Sequence, residues 1–127
     1  MTERIGYAGS VAVVDGPTIN FNSELKVGEY EKHSITVAPG QTGTVSLGGT
    51  TDMLLLLIVS SLYDEANITF TADPDKKNRP LNQPLAMAGS MIGLLGIAKV
   101  TAFTFTNSLP APKPPDVTIS VLIARSA

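Results

Sequence analysis

The segment VTISVLI, Val117–Ile123, sets the reading of the fold. Side chains alternate across a strand with a period of two, so Val117, Ile119, Val121 and Ile123 line one face of it. All four are β-branched, which suits a pleated, half-buried surface. The same grammar recurs upstream. HSITVA (33–38) places Ile35 and Val37 on one face, and Pro39-Gly40 follows as a turn signal. TGTVSL (42–47) turns Val45 and Leu47 inward before Gly48-Gly49. NITFTA (67–72) pairs Ile68 with Phe70, and VTAFTFT (100–106) sets Phe103 and Phe105 opposite a row of threonines.

Met53–Leu62 is a continuous apolar run, MLLLLIV at its start. Its length and the Gly-Gly before it favour a central strand covered on both faces over a buried helix. Six or seven short strands, with turns between them and no amphipathic helix, predict an all-β fold. The expected architecture is a single-domain β-sandwich or jelly roll. Residues 23–127 are expected to form that domain. Residues 1–22 read as an irregular N-terminal arm, interrupted by Gly6, Gly9, Gly16 and Pro17, with Val11–Val14 as a short strand.

The uncharged stretch Pro80–Ala98 (PLNQPLAMAGSMIGLLGIA) is harder to place. It is too long and too apolar for a hairpin loop. It is also too broken by Pro84, Gly89, Gly93 and Gly96 for a spanning helix, which needs roughly 20 mostly apolar residues. It has room for one or two short strands or a helical turn. Met87, Met91, Leu94 and Leu95 have helical spacing, and with Leu85 they are candidates for subunit core or for contact between subunits. Methionine suits both roles.

A chain of 127 residues supports one core. Its net charge of −2 offers no basic field for phosphate backbones, so nucleic acid is not an expected partner. No membrane segment and no signal peptide are read. With no cysteine and a single histidine, thiolate metal sites and disulfide scaffolds are excluded, and His33 lacks the partners that nucleophilic catalysis needs. Glu31, two residues from His33 on the same strand face, offers it at most an ion pair. DPDKKNR (73–79) has part of a calcium-loop ligand set. It also has two lysines and lacks the Gly and distal Glu of such a loop, so it reads as a solvated turn. Adjacent Asp64 and Glu65 point to opposite strand faces and read as a turn rather than an acid/base pair. No enzyme, cofactor or metal site is expected.

The order of elements in the C-terminal half resembles small decoration, or cement, proteins on the heads of tailed bacteriophages. An apolar loop (85–97) leads to VTAFTFT, then Asn107-Ser108, a short loop and DVTISVLIAR (116–125). The resemblance covers roughly residues 30–127 and rests on the strand pattern. It implies a β-sandwich or jelly-roll domain, usually a homotrimer, seated on the outer capsid at threefold or quasi-threefold positions. Its partners would be other copies of itself and the major capsid protein, and its location the virion, assembled in host cytoplasm. Ile5, Tyr7, Val11 and Val13 of the arm are the expected capsid-facing residues. The alternative is a carbohydrate-binding β-sandwich module of a tail or adhesin. Against it stand the absence of tryptophan and the scattered Tyr7, Tyr30 and Tyr63, because sugar sites stack aromatic rings on the pyranose.

Overall fold

A computed structural model describes residues 3–49, 51–73, 77–89, 92, 99–110 and 116–126. Ten strands follow in order. They are β1 (Glu3–Ala12), β2 (Thr18–Val27), β3 (Glu29–Val37), β4 (Gln41–Ser46), β5 (Met53–Ser60), β6 (Asp64–Asp73), β7 (Arg79–Leu81), β8 (Leu85–Ala88), β9 (Ala102–Asn107) and β10 (Val117–Arg125).

Eight of them form two four-stranded antiparallel sheets, β3-β10-β5-β8 and β4-β9-β6-β7. From β3 onward the chain changes sheet at every connection except β6–β7. The last strand enters between the first and third of the body, and β9 enters between β4 and β6. That interleaving is the strand order of a jelly roll. The all-β sandwich expected from the alternating segments is therefore the fold.

The core lies between the sheets. One sheet contributes Val37, Leu56, Ile58, Met87 and the β10 row Val117, Ile119, Val121 and Ile123. The other contributes Val45, Ile68, Phe70, Ala72, Leu81, Phe103 and Phe105. These are the positions that alternation turns inward. Asn107 continues the β9 row and ties the layers together. It is buried, its Nδ2 donates to the Val37 carbonyl across the sandwich (3.0 Å), and its Oδ1 accepts from the Leu109 amide (3.1 Å).

β5 lies inside its sheet, between β10 and β8, as its apolar run requires. A bulge at Leu54 shifts the register, so that Ala124 faces Leu55 while Arg125 faces Met53. The extra residue turns Met53 toward the interior, beside Arg125, which continues the inward row of β10. Arg125 is 2% exposed, and it donates from Nη1 to the Thr51 carbonyl (2.7 Å) and from Nη2 to the Val100 carbonyl (3.0 Å). Buried cations are tolerated where such acceptors receive their N–H groups.

The N-terminal segment corrects the expectation of an irregular arm. β1 and β2 form a regular antiparallel ribbon, paired from Glu3↔Val27 to Ala12↔Thr18. The boundary expected after residue 22 falls inside β2. Gly6 and Gly9 are strand residues, not interruptions. The Phe21 ring lies over Gly9, where an added Cβ would sit 2.7 Å from its Cζ. Val13–Gly16 is the turn, closed by the Gly16 amide on the Val13 carbonyl (2.9 Å), with Asp15 in the left-handed region at φ 59°.

The Pro80–Ala98 stretch supplies most of β7 and all of β8. Leu81, Met87 and Ile92 are buried. No helix among the described residues is long and apolar enough to cross a membrane.

Candidate interaction surface

The ribbon is amphipathic, and its register shows how. Directly paired residues share a face. One face therefore carries Ile5, Tyr7, Gly9 and Val11 from β1, with Leu25, Ser23, Phe21 and Ile19 opposite them on β2. The other carries Arg4, Gly6, Ala8, Ser10 and Ala12 against Lys26, Glu24, Asn22, Asn20 and Thr18. The first face is apolar along almost its whole length; the second is small and polar, with an exposed Arg4–Glu24 ion pair at 3.3 Å.

Only the base of the apolar face is covered by the body. Val27, Leu55 and Ala124 form a second buried cluster, with Ile5, Leu25, Leu54, Ala88 and Leu122 packed against it. This cluster gives β5 its second covered face, over Leu55. Farther along, cover thins: Leu57 is half-buried and Val59 exposed. Beyond the base the ribbon stands in solvent. Val11 is 64% exposed, Ile19 69%, Val14 89%, and Val13 and Phe21 about half.

Where ribbon and body diverge, an open cleft of about 550 Å³ lies between the apolar face and the outer side of the β5–β8 sheet. Tyr7 and Phe21 form one wall; Leu57, Ala86 and Leu122 lie on the other. Among the described residues no charged side chain lines it. A smaller cavity of about 240 Å³ opens beside β7 and β8, lined in part by Phe70, Phe103, Pro84 and Leu85.

The residues singled out from sequence are distributed unevenly. Met87 is buried between the sheets, and half-buried Leu85 packs against the same core. Met91, Leu94 and Leu95 lie outside the described residues. Of the four arm residues, Ile5 packs on the body and Tyr7 lines the cleft, while Val11 and Val13 are exposed. Phe21, Ile19 and Val14 were not singled out, although Ile19 and Phe21 continue the alternation that Ile5, Tyr7 and Val11 begin.

The titratable groups serve the fold. His33 Nε2 lies 3.3 Å from Glu31 Oε1, and the Glu31 carboxylate also accepts the Gly48 amide (3.1 Å). Glu31 thus fastens the end of β4 to β3. Asp64 Oδ1 accepts from the amides of Ala66 and Asn67 and from Asn67 Nδ2. The Asn67 amide is the leading reason that the Asp64 carboxyl titrates below its ordinary value of 3.8. A depressed native pKa adds stability above the unfolded value, and that contribution is lost as pH falls through the native one. In acid thermal melts, Asp64→Asn is therefore expected to flatten the pH dependence below 3.8, while wild type loses stability more steeply. Equal slopes for the two proteins would remove this role for Asp64. Among the described residues no three His, Cys, Asp or Glu side chains converge as a metal site. Asp73 and Lys77–Arg79 of the DPDKKNR loop are described, and residues 74–76 are not.

Compared with known protein families and with curated proteins, the chain matches no family model and no curated sequence.

Proposed function

We propose that this protein is a virion structural protein that decorates and stabilises a bacteriophage capsid. It binds the outer shell at capsomer junctions as a homotrimer, with the major capsid protein as its partner. The observation that carries this reading is the ribbon: a projecting, amphipathic β-hairpin on a closely packed two-sheet body. Contiguous apolar surface at this exposure marks a site of protein contact. Jelly rolls occur in viral capsid and lectin domains alike, so the fold does not choose between shell and sugar. The ribbon favours the shell, because its exposed apolar surface beyond the half-exposed Phe21 is aliphatic (Val11, Val13, Val14, Ile19).

In this reading the stiff body bridges neighbouring capsomers. The small, polar face of the ribbon (Arg4, Ser10, Asn20, Asn22, Lys26) lies on the shell in place of the expected Ile5, Tyr7, Val11 and Val13, whose side of the ribbon meets a neighbouring subunit. Each contact is modest, and threefold repetition multiplies them into avidity. No catalytic step is involved.

Removing residues 1–15 would strip Ile5 from the buried cluster at the ribbon base, so a cleaner test shortens the ribbon. Gly9 faces Phe21 directly, and joining them through an Asn-Gly turn keeps the base intact. The shortened protein is expected to keep its circular dichroism and melting temperature and to stop co-sedimenting with phage heads. Coating of heads by the shortened protein at wild-type level would overturn the reading.

A further inference from the structure

We infer that the apolar cleft beneath the ribbon receives the ribbon tip of a second copy of this chain, in a head-to-tail contact. This deepens the decoration reading, on which it rests, by naming what joins one subunit to the next.

Three observations combine. The apolar face of the ribbon does not end where the body ends, but continues through Phe21, Val11 and Ile19 to the turn valines. A two-stranded ribbon alone in water is marginally stable at best, and it gains stability when its apolar face finds a further layer. Among the described residues the distal half of β1–β2 has no such layer in its own subunit. Secondly, the cleft is open and unfilled by any described residue: Leu57, Ala86 and Leu122 wall one side, Tyr7 and Phe21 the other, and no described charged side chain lines it. Burying apolar side chains there removes water from both surfaces at once.

Thirdly, the tip cannot fill its own cleft. Tyr7 lines the cleft and Val13 opens the turn, so at roughly 3.3 Å per residue the tip lies about 20 Å beyond it. The paired register from Glu3↔Val27 to Ala12↔Thr18 runs unbroken, leaving no hinge for the ribbon to fold back. Knob and hole on one chain, out of reach of each other, meet between copies. A contact of this kind is heterologous, and it forms a ring if the rotation closes. A ring of three is the state the decoration reading requires.

The chemistry of the two surfaces selects this occupant. A peptide partner read by charge would find none in the cleft. The tip offers Val11, Ile19, Val13 and Val14 side-on, while Asp15 at the apex stays in water. The polar face of the ribbon is left free for the shell.

Because the chain has no cysteine, pairs of introduced thiols report the contact cleanly. Val13→Cys on one tagged chain and Ala86→Cys on another, mixed and mildly oxidised, are expected to give mainly the mixed disulfide dimer. Val13→Asp with Val14→Asp is expected to weaken self-association about 100-fold or more, since two carboxylates would have to be desolvated. Light scattering reads this as a shift from oligomer to monomer with circular dichroism unchanged.

A dominant Val13→Cys homodimer would mean that ribbons pair with each other, and would overturn the inference. So would a wild-type protein that is monomeric and takes up an apolar dye no differently from the double aspartate variant, which would make the cleft a small-ligand site. Co-sedimentation with heads separates the two proposals. A mixed disulfide without head binding keeps this contact and removes the decoration reading; head binding by a wild-type monomer does the reverse.

Discussion

Phe103→Ala is expected to lower the unfolding free energy by about 3–5 kcal/mol, the largest loss from any single truncation in the core. Phe103 is fully buried near the start of β9, an inner strand of its sheet, paired with Val45 on one side and Ala72 on the other. Its ring centroid lies 6.2 Å from that of Phe70 at 63° and 6.2 Å from that of Phe105 at 34°. Phe70 and Phe105 meet at 5.9 Å. Removing Phe103 opens a void between rings that are held by two strands and cannot collapse onto each other. It also forfeits edge contacts worth about 0.5–1.5 kcal/mol each. Against a total of about 5–15 kcal/mol, such a loss brings a domain of this size near its threshold. Urea unfolding gives the measurement. Phe103→Leu, which keeps most of the volume, is expected to lose well under half as much. A loss below about 1 kcal/mol for the alanine variant would mean that the three rings do not close the core.

Gly49→Ala should cost nearly as much, by a different route. Gly49 has φ +83°, a conformation that an L side chain enters at a cost of about 1–2 kcal/mol. A Cβ there would also meet the exposed Glu29 carboxylate and lie 2.6 Å from Arg125 Cδ and 2.8 Å from Arg125 Nε. An exposed side chain would swing aside. Arg125 is fixed by its bonds to the Thr51 and Val100 carbonyls, and moving it unpairs buried acceptors at about 1–3 kcal/mol. The sum is about 3 kcal/mol, read as a lower urea midpoint with unchanged slope. Gly40 supplies the control. It has a similar φ of +79° with nothing within 4 Å of its added Cβ, so Gly40→Ala should show the conformational cost alone. Equal losses at the two positions would show that Arg125 does not resist displacement.

Alternation in the sequence was enough to find the body strands and their inward faces. Val117, Ile119, Val121, Ile123, Phe103 and Phe105 all point where a period of two directs them. Strand order was not legible, because it depends on which distant segments meet, and alternation is a local signal. The ribbon was misread through its glycines. Read as breaks, Gly6 and Gly9 hid an alternation of Ile5, Tyr7 and Val11 that Ile19, Phe21 and Leu25 answer on the return strand. Two features could have corrected this: Gly16-Pro17 as a turn, and a bulky Phe21 able to roof a strand glycine. The cleft had no signature at all, since it arises where two separately stable layers diverge. Arg125 is the next position of the β10 inward row after Ile123, but nothing local in the sequence shows that the Thr51 and Val100 carbonyls receive it in the interior. The bulge at Leu54 was equally hidden, since a continuous leucine run gives no hint of one.

The interleaved strand order also sets a schedule for folding. β10 lies between β3 and β5 and pairs with both, so Val37 must find Val117 across most of the chain. Contacts so distant in sequence must meet the entropy of closing a long loop before they return any stability, which makes them slow to form. During synthesis, β3 and β5 would wait with open edges until β10 leaves the ribosome. The β1–β2 ribbon, whose partners are close in sequence, can form long before the body closes.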